Sequence, residues 1–116
     1  MTFEYKLQPL RIPTGWTVGW NTFTEIDPLS IQNANSDQWF NFDQDMFQAI
    51  NTHFNLIIDL GWYPNLEPNG IFKLVLITLY DTTEQQVASW DQPLKKLTTR
   101  DKSKIVTAIE DWMNDH

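Results

Sequence analysis

Few residues in this chain could carry a reaction. His53 is the one mid-chain imidazole, since the other histidine, His116, is the last residue. Asp59 interrupts an otherwise apolar run, "NLIIDLGW", and a carboxylate there could serve as a general acid or base if a cleft raised its pKa. Together, Asp59 and His53 would suit a small hydrolase or a ligand-binding domain. The other ingredients of catalysis are missing. Ser30, Ser36, Ser89 and Ser103 stand in no G-x-S-x-G setting. Gly15, Gly19, Gly61 and Gly70 are too scattered for a phosphate loop. There is no cysteine, which excludes disulfides, thiolate metal sites and thiol nucleophiles. Asp43 and Asp45 open like a calcium loop, but that loop requires a glycine and an acid where Gln48 and Phe54 stand. No cofactor and no metal are expected.

Recognition is the stronger theme. The net charge is −7, and it is unevenly spread: residues 1–94 hold eleven acids and three bases, residues 95–116 four acids and five bases. An acidic surface repels nucleic acid and anionic lipid and favours basic partners. The basic cluster of Lys95, Lys96, Arg100, Lys102 and Lys104 reads better as a face salt-bridged to its own acidic chain than as a phosphate footprint. Six tryptophans are more than the core of a chain of 116 residues can hold, so some must lie at its rim or outside. Aromatics beside acids make binding patches. The best local candidate is "IDLGWYPNLEPNG", residues 58–70. Tyr63, Glu67, Asp43, Asp45, Glu25 and Asp27 are the residues expected to meet a protein partner. The expectation is a protein-binding domain without enzymatic activity, binding neither nucleic acid nor membrane. A structural or phage-type assembly component is a further alternative, and it would need a self-associating sheet edge.

Those residues need elements to hold them. The length suits one domain spanning residues 1–116. The pattern predicts an α+β fold, with an antiparallel sheet of four or five strands under a C-terminal amphipathic helix. Residues 3–12 alternate around Phe3, Tyr5 and Leu7 until Pro9, an irregular first strand. "WTVGWNTFTEI", residues 16–26, alternates as a second, with Gly19 placed for a bulge. Trp39, Phe42, Met46 and Ile50 approach helical spacing and predict a short helix near 43–52. "FNLIIDLGWY" and "IFKLVLITLY" flank "PNLEPNG" and predict a hairpin, with Asn69-Gly70 supplying positive φ and Gly61 a bulge or a crowded position. The second of these strands is apolar on both faces, which suits an interior place in the sheet. "QQVASWD" reads as another short strand. From Pro93 onward the chain reads as helix, with Ile105, Ile109 and Trp112 on one stripe and Thr98 with Asp101 as a capping box. No segment is long and apolar enough to span a bilayer, no secretory leader is evident, and the absence of cysteine fits a cytoplasmic chain.

This layout resembles the small, acidic, cysteine-free α+β immunity proteins of bacterial polymorphic toxin systems. The pieces that carry the resemblance are "IDLGWYPNLEPNG", then "WDQPL", then the "TTRDKSKIVTAIEDWM" helix. It implies stoichiometric inhibition of a basic toxin with no cofactor, acidic residues covering the toxin's active site. It assigns no role to any single residue.

Overall fold

The strand Leu56–Tyr63 organises the molecule, because its alternate residues face two different environments. Leu56, Ile58, Leu60 and Trp62 are buried on one side; Ile57, Asp59, Gly61 and Tyr63 point to the other. The computed structural model describes residues 5–115. Around this strand stands a five-stranded antiparallel sheet in simple sequence order: β1 Thr17–Asn21, β2 Phe47–Asn51, β3 Leu56–Tyr63, β4 Ile71–Thr78 and β5 Lys95–Thr99. Helix α1, Thr83–Ser89, links β4 to β5, and α2, Lys102–Asn114, closes the chain. Two 3-10 turns, Pro28–Ser30 and Asp37–Asn41, lie in the long β1–β2 connection. The expected α+β class, the hairpin, the interior place of β4 and the C-terminal helix are all present.

Ile105, Ala108, Ile109 and Met113 bury the stripe of α2 against β4 and β5. The covered face is completed by an aromatic cluster in which Trp39, Phe42 and Phe72 surround Trp62, with ring centroids 4.9–5.9 Å from it. Offset and edge-on packing of this kind adds to the area buried. Every buried side-chain nitrogen and oxygen among the described residues has a hydrogen-bond partner.

Several expectations were displaced. Residues 47–51 form strand β2, not the core of a helix near 43–52, because Phe47, Ala49 and Asn51 alternate inward opposite Leu60, Ile58 and Leu56. The short helix lies instead at Thr83–Ser89, where a strand was expected; Thr82 caps it by accepting from the Gln85 N–H. Lys95–Thr99 pairs with β4 before the last helix begins, and the cap is Asp101 itself, accepting from the Ser103 and Lys104 N–H groups at 2.9 and 3.4 Å. Of the proposed first strand, Phe3 lies outside the described residues, and the remainder makes one isolated bridge, Leu7 with Thr24. In β1 the register shifts between Val18 and Trp20, the bulge that Gly19 permits. Positive φ in the hairpin loop falls on Leu66, at 64°, and not on Asn69-Gly70.

Candidate functional site

The site grows from the side of β3 that α2 does not cover. The register places Trp20, Gln48, Asp59, Val75 and Lys96 in one row across all five strands. Gly61, Lys73 and Thr98 form the next row, and Tyr63 with Ile71 the one beyond. On the opposite flank Ile57, Val75 and Ile77 form a small second core with Ile50 and Leu79. What remains open is a patch centred on Asp59.

Two hollows meet at that residue. One, of about 270 Å³, is lined by Trp20, Asp45, Phe47, Gln48 and Asp59. The other, of about 170 Å³, is lined by Asp59, Tyr63, Lys73, Val75, Trp90 and Asp91, which places the end of α1 beside the same patch. Trp20 is 52% exposed, and Tyr63 and Trp90 are also exposed. The hollows flanking α2 are larger, but one is lined by both Lys104 and Asp111 and the other contains the Lys95–Asp115 ion pair of 2.9 Å.

The acids of the patch sit on a strapped loop. Residues 42–46 run beside the β3–β4 hairpin: the Trp62 N–H donates to the Asp43 carbonyl at 2.8 Å, and the Leu66 N–H to the Phe42 carbonyl at 2.8 Å. The Gln44 N–H donates to Asn65 Oδ1 at 2.8 Å, the Tyr63 hydroxyl to the Gln44 carbonyl at 3.3 Å, and Trp20 Nε1 to the Asp45 carbonyl at 2.6 Å. Gly61 is required by this closeness, for a Cβ there would collide with the Gln44 carbonyl oxygen. On the far side of the hairpin, Arg100 donates to the Gly70 carbonyl and, at 3.1 Å, to the Pro68 carbonyl. Its guanidinium lies 5.3 Å from the Trp62 ring centroid. The Trp62 indole N–H donates to the Glu67 carbonyl at 2.8 Å.

Burial pushes the Asp59 carboxyl above the usual carboxylate range; the hydrogen bond from Gln48 and the charge of Lys73 oppose this, and Asp45 adds to it. The Tyr63 hydroxyl is raised as well, first by burial and then by Asp59, Asp45 and Asp43. One electrostatic neighbourhood therefore contains Asp43, Asp45, Asp59, Tyr63 and Lys73.

Of the six residues expected to bind a partner, Tyr63, Asp43 and Asp45 come together here. Glu67 is exposed on the adjoining hairpin tip. Glu25 and Asp27 do not join them. The Glu25 backbone pairs with Lys6 at 3.0 Å and with the Lys102 ammonium at 2.8 Å, near the start of α2, while Asp27 caps the Pro28–Ser30 turn. His53 lies exposed in the β2–β3 turn, its ring centroid 4.7 Å from that of Phe54. Asp59 is three residues inside β3, about 10 Å along the strand from its start, and neither hollow it lines includes His53. Among the described residues no three acidic or histidine side chains converge as a metal site requires. Nor is any helix there long and apolar enough to cross a membrane. In the basic cluster, Lys95, Arg100 and Lys102 are held by this chain's own oxygens.

Sequence reasoning passed over Trp20, Gln48, Lys73 and Trp90 as members of the site. Strict alternation put Trp20 on one face with Val18, and Gly19 was the signal that this alternation breaks.

No protein-family model matches this chain, and no match was found among curated proteins or among solved structures.

Proposed function

We propose that this chain is a cytoplasmic, non-enzymatic protein-binding domain that engages a basic protein through the open face of its sheet. In its sharpest form it is an immunity-type inhibitor of a bacterial toxin. The observation that supports this reading is the exposure of Trp20, Tyr63 and Trp90 around a half-buried Asp59. Exposed aromatics grouped on one face are costly to leave in water and are the residue types that dominate binding energy. Asp43, Asp45, Asp59 and Asp91 outnumber Lys73 and Lys96 around them, so the complementary surface is positive.

The test is capture on the immobilised chain, washed with rising salt. A basic protein bound stoichiometrically and released at high salt is expected, with capture lost in a Trp20→Ala/Tyr63→Ala variant and kept in a Glu25→Ala/Asp27→Ala variant. Undiminished capture by the aromatic variant would remove the face from the interface. The Tyr63→Ala/Glu67→Gln variant separates binding from folding: its affinity should fall about tenfold or more, while unfolding free energy falls by no more than about 1.5 kcal/mol, the scale of the lost Tyr63–Gln44 bond.

A further inference from the structure

We infer that the hollow between Trp20 and Asp59 receives a single guanidinium group, presented by an arginine of the basic partner. That the arginine belongs to a protein rests on the function proposed above; the chemistry of the hollow does not.

Its walls suit that group, and no arginine is among the described residues that line it. Trp20 offers an exposed ring, and the bond from its indole nitrogen to the Asp45 carbonyl fixes the ring's orientation. An aromatic face attracts a cation, and the flat, weakly hydrated guanidinium stacks on it well. Phe47 borders the hollow from β2, with its side chain buried on the covered face of the sheet. Asp45 and Asp59 both line the hollow, and the charge of Asp45 is felt at the Asp59 carboxyl. Gln48 Nε2 donates to Asp59 Oδ2 at 3.1 Å, which orients the carboxylate and leaves Oδ1 without a hydrogen bond among the described residues. A planar fork of N–H donors can meet such oxygens where a compact ammonium meets fewer. Lys73, whose charge acts on Asp59, lies 5.6 Å above the Tyr63 ring, and among the described residues the one ion pair is Lys95 with Asp115. Asp59 is thus a partly desolvated carboxylate with no ion-pair partner among the described residues.

Coupling to protons follows. The polar and charged groups around Asp59 are Asp45 and Asp43 from the loop before β2, Gln48 on β2, Tyr63 on its own strand, Lys73 on β4, Lys96 on β5 and Asp91 after α1. A guanidinium binds the ionised carboxylate, so affinity rises as pH climbs through Asp59's raised titration range.

The test needs no partner. N-acetyl-arginine methylamide is titrated into the isotopically labelled full chain, and the Trp20 indole N–H resonance, assigned with Trp20→Phe, is followed. A saturable shift is expected, with a dissociation constant on the order of 1 mM. Asp59→Asn, which keeps the shape and the Gln48 contact, should weaken it about fivefold. N-acetyl-lysine methylamide should bind about threefold more weakly. Lowering pH from neutral toward the ordinary carboxylate value should weaken binding to the parent chain more than to Asp59→Asn. No saturable shift, equal affinity for the lysine probe, an unaffected Asp59→Asn, or saturation of the same resonance by magnesium chloride instead would each overturn the assignment. If a basic partner is captured through Tyr63 while the probe fails, the hollow is wrong and the face stands. If the probe binds but no basic partner depends on this face, the hollow stands and the proposed function falls.

Discussion

Trp62 and Trp20 make the same side chain answer to two different demands. Trp62 is fully buried, ringed by Trp39, Phe42 and Phe72, and its indole nitrogen donates to the Glu67 carbonyl. Trp20 is half exposed, anchored at its nitrogen, and otherwise faces the hollow beside Asp59. The two sides of the sheet differ in the same way. One is filled by rings and by α2; the other is left open, with charged and half-buried groups held in place from behind. A strand such as β3 serves both because its side chains alternate, so a single backbone carries the core and the open face in turn.

The contrast is broken most directly by truncating both tryptophans. Trp62→Ala should cost about 3–5 kcal/mol of unfolding free energy in urea titrations, because the cavity lies in a cluster that cannot close over it. Trp20→Ala should change stability by no more than about 1 kcal/mol while removing partner capture. Equal losses would mean that the two faces are both structural.

Gly61→Ala probes the seam between the faces. The new methyl must displace the Gln44 carbonyl, so stability should fall by about 1–3 kcal/mol. Chemical shifts of Asp43–Asp45 should move with it. Loss of stability without movement of that loop would show that strain is absorbed elsewhere in β3.

The smallest effect belongs to Asp59. Its pKa is raised on folding, so the folded chain holds the proton more tightly than the unfolded one, and stability falls as pH rises from the ordinary carboxylate value through the raised one. Asp59→Asn should therefore be slightly more stable than the parent at neutral pH. The difference should vanish in acid, where both carry a neutral side chain. Thermal melts across that range check the sign; a variant less stable at neutral pH would show that the ionised carboxylate stabilises the sheet.

Much of this architecture was legible in the sequence, and the failures have physical causes. The β3–β4 hairpin declared itself through two long apolar runs around a proline-rich loop, and α2 through the stripe at Ile105, Ile109 and Trp112. Segment 43–52 misled because Trp39, Phe42 and Met46 are core residues of a 3-10 turn and a loop, and their spacing imitated a helix that tertiary packing never forms. Helix α1 was missed because only Ser89 of it is buried, so it has no apolar stripe to read. Strand β5 alternates Lys95, Leu97 and Thr99 toward α2, a lysine-rich pattern that blends into the helix after it. In the site, Asp43, Asp45 and Tyr63 were found through local composition, whereas Trp20, Gln48 and Lys73 reach Asp59 only through strand register, which no local window contains.

On the function proposed above, the strapped loop at residues 42–46 has a kinetic meaning. Its backbone bonds to β3 and the hairpin fix the acids before any partner arrives, so their ordering entropy is lost at folding and not at encounter. Association should then proceed at a rate set by long-range charge steering, steeply slowed by salt, with no slow rearrangement after contact. Variants that free the loop should shorten the lifetime of the complex while leaving its rate of formation almost unchanged.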